Sequence, residues 1–184
     1  MARVPDLRPE EMSSEQKRIH DAIANRRGGH VRGPFALWMR LPEVADRANA
    51  LGNTLRVGSG LEKRLFELMV LVIARHWGAQ YEWFAHEHQA LKAGLASDVI
   101  EDLRDGRTPR FARDDEQLIY DVTHQMMTTR RLGQETYDRA QAALGLDLLI
   151  EFVASIGFYT MVAITLNAFD GPVPDGSQPL PDLA

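Results

Sequence analysis

Apolar residues recur along this chain at intervals of three and four, the spacing of one helix face, and nowhere alternate with polar residues through a β-branched run. The pattern predicts an all-α fold. The first dozen residues, with Pro5 and Pro9, read as an extended arm. Ser13 and Gln16 form a capping-box pair opening a helix to about Asn25, which Arg26-Arg27-Gly28-Gly29 breaks. The loop His30–Pro34 leads into a short apolar turn, Phe35–Met39. Pro42 suits the first position of a helix that runs through Arg56 and ends near Gly58. Ser59 and Glu62 form a second capping-box pair for a helix from Leu61 to about Trp77. Gly78 allows a tight bend before a further helix, Ala79 to Ala93, stopped by Gly94. Ser97-Asp98 caps a short helix ending at Gly106. Helices follow over 114–129 and 134–144, the latter closed by Gly145, and the last runs from Asp147 to about Phe169. The tail is proline-rich and extended. The organisation is an arm and first helix (1–33), a helical domain (34–170) and the tail (171–184).

The last helix needs a decision of its own. Phe152–Phe169 carries no formal charge and is long enough to cross a bilayer. It also contains Ser155, Gly157, Thr160, Thr165 and Asn167, with Asp147, Glu151 and Asp170 near its ends and no basic cluster to orient it. We read it as the buried helix of a soluble domain, covered in part by neighbouring subunits, and expect no membrane association.

Composition narrows the classes. The 184 residues are 45% hydrophobic and 26% charged, which supports one real core. A net charge of −5 argues against a nucleic-acid partner. Cysteine is absent, which removes disulfides, thiolate metal sites and thiol catalysis. No apolar leader-like segment follows Met1, so the cytoplasm is the expected location. Arginine far outnumbers lysine. That excess suits recognition of a small acidic substrate, or reflects no more than a compositional habit.

The chemistry concentrates between Glu67 and His88. On the helix starting at Ala79, positions 79, 82, 83, 86, 90 and 93 share a face, so Glu82 and His86 lie one turn apart on a stripe of small residues and Trp83. The pair can serve as a general acid and base, can lock packing, or can reach solvent. Glu67 stands where its own helix turns apolar. An antiparallel pairing of the two helices would bring it to the Glu82/His86 stripe; otherwise it is an interhelical or solvent-facing glutamate. His76, Glu82, His86, Glu87 and His88 are dense, but no HExxH or Glu-x-x-His spacing occurs, so no metal is expected. Arg130-Arg131 reads as a solvated helix end.

The run from Glu67 through His86 to Gly94, the loop Gly33-Pro34-Phe35, the pattern Tyr81-Glu82-Trp83-x-x-His86 and the final Gly157–Phe169 run resemble the carboxymuconolactone decarboxylase family of the alkylhydroperoxidase D-like superfamily. The resemblance covers roughly residues 34–170. It implies a bundle of about six to eight helices that assembles into a homo-oligomer, trimer or hexamer. The superfamily's antioxidant branch has a glutamate at the place of Glu67, two cysteines at those of Ala79 and Glu82, and a histidine at that of His86. Without the thiols, peroxidase chemistry is excluded. The decarboxylase branch instead implies a cofactor-independent lyase of aromatic compound degradation, removing CO2 from a small carboxylated unsaturated lactone. On that resemblance His86 is the proton donor, Glu82 orients it and Glu67 completes a relay. Trp83 and Tyr81 shape the pocket, and Arg40, Arg56, Arg75 or His30 binds the substrate carboxylate. The alternatives are a hydratase, isomerase or other decarboxylase using the same trio, or a non-catalytic oligomeric binding protein. The arm and tail exceed the compact decarboxylase and are expected to wrap neighbouring subunits.

Overall fold

Nine α-helices follow one another in the computed structural model, which describes residues 2–25 and 28–182, and no strand occurs among the described residues. They are α1 (Ser14–Ala24), α2 (Pro34–Trp38), α3 (Pro42–Val57), α4 (Lys63–Trp77), α5 (Gln80–Lys92), α6 (Ser97–Arg104), α7 (Asp114–Thr129), α8 (Gln134–Leu144) and α9 (Leu146–Ala168). The all-α expectation holds. The helix count exceeds six to eight because the apolar turn after Pro34 winds into a helix of its own, α2.

The capping box of α1 forms as expected: Gln16 N–H donates to Ser13 Oγ at 3.2 Å and Ser13 N–H to Gln16 Oε1 at 2.9 Å. Gln16 Nε2 then donates to the Met39 carbonyl at 2.9 Å, tying α1 to the end of α2. The break assigned to Arg26-Arg27 lies outside the described residues. Two other caps differ. Ser59 Oγ accepts from Leu61 N–H at 3.0 Å in a local turn, and α4 starts two residues later than Leu61 with Glu62 as N-cap and no side-chain cap bond. Ser97 and Asp98 are the first residues of α6 rather than its cap; Ala96 precedes them, and Asp98 Oδ1 accepts from Val99 N–H at 2.9 Å. In both cases a serine bonded or positioned one step away satisfies the pattern without capping the helix.

Helix α4 is the axis of the bundle. Every residue from Arg64 to Arg75 is buried, and the helix packs against α5, α6, α7 and α9. A helix apolar on all faces can only lie at the centre. Gly78 ends it with φ +59°, and Gly78 N–H donates to Arg75 O while Ala79 N–H donates to Ala74 O, a Schellman closure that reverses the chain. The α4–α5 hairpin follows, antiparallel, with Glu67 and His86 at facing levels. The predicted stripe is realised: Ala79, Glu82, Trp83, His86 and Ala90 are all buried.

Helix α9 is only half covered. It packs on α2, α3, α4, α5 and α8, and Phe152, Ile156, Tyr159, Val162 and Ala163 are buried. Leu146, Ile150, Val153, Met161 and Ile164 stand exposed on the opposite side. The helix is long and apolar enough for a membrane span, with 44% of that window buried within the bundle.

The tail is extended, as expected, and docks on its own chain. Leu180 is buried; its N–H donates to Gln80 Oε1 at 2.9 Å and its carbonyl accepts from Gln80 Nε2 at 2.8 Å.

Candidate active site

A cavity of about 160 Å³ opens between α2, α3, α5 and α9. Pro34, Phe35, Gly52, Phe158, Val162 and Leu166 give it apolar walls, and Arg32, Arg56, Tyr81, Glu82, His86, Gln89 and Tyr159 supply its polar groups. Close backbone approach makes it possible. A Cβ on Gly52 would lie 2.8 Å from Phe158 Cζ, and one on Gly33, whose φ is +62°, would lie 2.6 Å from the Tyr81 ring.

His86 is 7% exposed, and its Nδ1 lies 2.6 Å from Glu67 Oε2. Glu67 is fully buried, and its other oxygen faces the Arg56 guanidinium at 3.9 Å without a hydrogen bond. A carboxylate accepting from Nδ1–H fixes the tautomer and leaves Nε2 as the nitrogen able to exchange a proton with a ligand. The Tyr159 ring meets the imidazole edge-on at 5.4 Å and limits its rotation. The antiparallel hairpin thus realises the conditional approach of Glu67.

Glu82 does not orient His86, contrary to expectation. It is 1% exposed, and neither carboxyl oxygen has a hydrogen-bond partner among the described residues. Burial pushes the carboxyl well above the usual carboxylate range. The site therefore holds a histidine with a carboxylate behind it and, one turn away, a buried carboxyl group whose protonated form is favoured by burial.

No family model matches this chain, and no curated protein matches it significantly.

Of the remaining predicted residues, Tyr81 and Arg56 line the cavity. Trp83 does not. It is fully buried on the same stripe, its indole N–H donates to Glu87 Oε2 at 3.1 Å, and Arg104, which also binds Glu87, lies over its ring. Its role is to hold α6 on α5. Arg40 donates to the Pro5 carbonyl at 2.7 Å and fastens the N-terminal arm. Arg75 faces a different cavity and donates to Pro181 O. His30 is exposed on its loop and does not line the cavity. Each was a cation whose direction the sequence left undetermined. Arg32, Gln89 and Tyr159 are lining groups that were missed. Gln89 follows His86 by one helical turn, so the stripe rule could have found it; Arg32 and Tyr159 come from other elements and carry no local signal.

No group of three or more His, Asp or Glu side chains capable of holding an ion occurs among the described residues.

Proposed function

We propose that the chain is a cofactor-independent carboxy-lyase of the carboxymuconolactone decarboxylase type, acting on a small carboxylated unsaturated lactone. The observation that carries this reading is the pairing of a Glu67-backed His86 with a buried, unpaired Glu82 on one small, largely apolar cavity. Losing CO2 from such a lactone breaks one C–C bond and sends its electron pair through the conjugated system to the lactone carbonyl oxygen. The Glu82 carboxylic acid donates a hydrogen bond to that developing enolate. Protonated His86 delivers a proton to carbon, and solvent restores it. Arg56, with Arg32, holds the carboxylate before it departs. The apolar walls favour neutral CO2 over the desolvated carboxylate. No external electron sink is required, because the substrate carries its own.

The same acid and base on one cavity also suit a hydratase or isomerase that moves a proton between two carbons of an unsaturated acid. Peroxidase chemistry stays excluded, since Ala79 and Glu82 occupy the thiol positions of the antioxidant branch and the chain has no cysteine.

The active form is a homo-oligomer. The exposed apolar residues of α9, with Gly157 standing between Val153 and Met161, fall on one stripe at intervals of four and three, the seam spacing of paired helices, and a second copy brings an identical stripe.

The test is turnover of γ-carboxymuconolactone by the purified protein, followed by loss of ultraviolet absorbance and by CO2 release, beside His86→Gln. Activity in the parent that falls by about 10²- to 10⁴-fold in the variant supports the reading. An inactive parent overturns the named substrate, and full activity in the variant overturns the role of His86.

A further inference from the structure

A second cavity, of about 230 Å³, adjoins the one that holds Glu82 and His86. Arg32 and Tyr81 line both, so the two spaces meet across one arginine side chain and one phenol ring. The Tyr81 ring is set close against the Gly33 backbone, where a Cβ would lie 2.6 Å from it, and this packing holds the ring in place. Arg32 is the part of the partition that can give way. It is exposed on the loop before α2, and its guanidinium has no hydrogen-bond or ion-pair partner among the described residues.

The outer walls of this second cavity come from the N-terminal arm and the tail. Arg3 N–H donates to Phe169 O at 3.1 Å, its Nη1 donates to Ala168 O at 3.0 Å, and its Nε pairs with Asp170 at 2.7 Å. The Pro5 carbonyl takes the bond from Arg40. Alternate positions of the arm are thus fastened to the bundle, and the positions between them, Ala2, Val4 and Asp6, line the cavity. Ala2 and Val4 are half-buried there, whereas Arg3 and Pro5 are exposed. Pro172 and Pro174 of the tail and Leu37 of α2 complete a lining that is mostly apolar. Asp6 is exposed, has no ion-pair partner among the described residues, and adds a negative charge to that lining.

We propose that the two cavities form one ligand site with Arg32 at its waist, and that the outer one takes an uncharged hydrocarbon extension of the unsaturated acid bound in the inner one. This rests on the reading of the inner cavity as the place of the acid, but not on decarboxylation. Val4, Leu37 and the two prolines offer apolar contact, which favours burial of CH2 groups. An extension that ends in a second carboxylate meets Asp6 and is rejected by like charge. The arm therefore sets specificity: it selects an acid larger than the bare lactone and neutral at its far end.

Calorimetric titration of the full chain with trans-2-alkenoates, from crotonate through hexenoate to octenoate, tests this, with the His86 Cε1–H resonance reporting on the inner cavity. Affinity should rise about threefold to fourfold per added CH2, and the His86 shift should saturate with the same constant. Val4→Trp fills the outer cavity from the arm. It should melt like the parent and bind crotonate equally well, yet bind octenoate weaker by about tenfold or more. The dicarboxylate analogue of octenoate should bind the parent several-fold more weakly than octenoate, and Asp6→Asn should close that gap. Affinity that does not rise with chain length, a rise that survives in Val4→Trp, or a dicarboxylate that binds the parent as well as octenoate overturns the proposal and leaves the inner cavity as an acid site. If no member of the series shifts His86, that reading of the inner cavity falls, and the proposal with it.

Discussion

A carboxyl group enclosed like that of Glu82, with no donor to either oxygen among the described residues, makes the stability of the whole fold depend on pH. Burial raises its pKa in the folded state above the ordinary value of 4.5. Between that value and the raised one, the folded chain keeps a proton that the unfolded chain has lost, so stability falls as pH rises. Glu82→Gln keeps a neutral group at every pH. Denaturant titrations should show the variant and parent nearly alike below about pH 4.5, then diverging in the variant's favour by up to about 1.4 kcal/mol per pH unit. A constant difference across pH would mean that Glu82 is ionised in the fold. Glu67, unlike Glu82, has a hydrogen-bond partner in His86. Glu67→Gln removes the carboxylate that fixes Nδ1–H of His86, and it should lower kcat far more than it raises KM, by about 10²-fold or more, with the melting temperature as the control for folding.

At the level of elements, the α4–α7 contact depends on one buried cation. Arg64 is 5% exposed; it donates to Glu116, itself buried, to Asp115 at 2.9 Å and to Glu62 at 3.2 Å. Arg64→Met leaves Glu116 buried without a counter-charge and should cost about 3–5 kcal/mol in urea unfolding. Adding Glu116→Gln to that variant should recover much of the loss; if it does not, packing rather than charge holds the contact. Much of the element structure was legible beforehand, because Gly78, Gly94 and Gly145 punctuate the chain and the apolar run of α4 admits only a central place. The bend at Gly78 was legible for the same reason, whereas the meeting of Glu67 and His86 followed only on the condition that the two helices pack antiparallel. What stayed hidden was direction. Arg40, Arg56 and Arg75 have interchangeable sequence signatures, and a long side chain reaches whichever carbonyl or carboxylate the tertiary packing presents. The idle oxygens of Glu82 were hidden too, since spacing shows which residues share a face but not which of two carboxylates reaches the imidazole.

Over the whole molecule, two helices carry the behaviour: α9 outward and α4 inward. Ile164, 45% exposed, lies on the apolar stripe of α9. Ile164→Glu places a charge on the proposed seam, so light scattering after gel filtration should report a smaller assembly than the parent's; an unchanged mass would remove α9 from the interface. Helix α4 has the opposite consequence. Its residues from Arg64 to Arg75 are all buried, and that stretch contains Glu67, which stands behind His86. Such amides reach solvent only when the bundle opens as a whole, so their deuterium uptake should be the slowest in the chain and should track the global unfolding free energy. The geometry behind the imidazole then outlasts every partial opening at the periphery. Warmed stepwise, the protein should lose function and fold at one temperature, with no folded but inactive species between them.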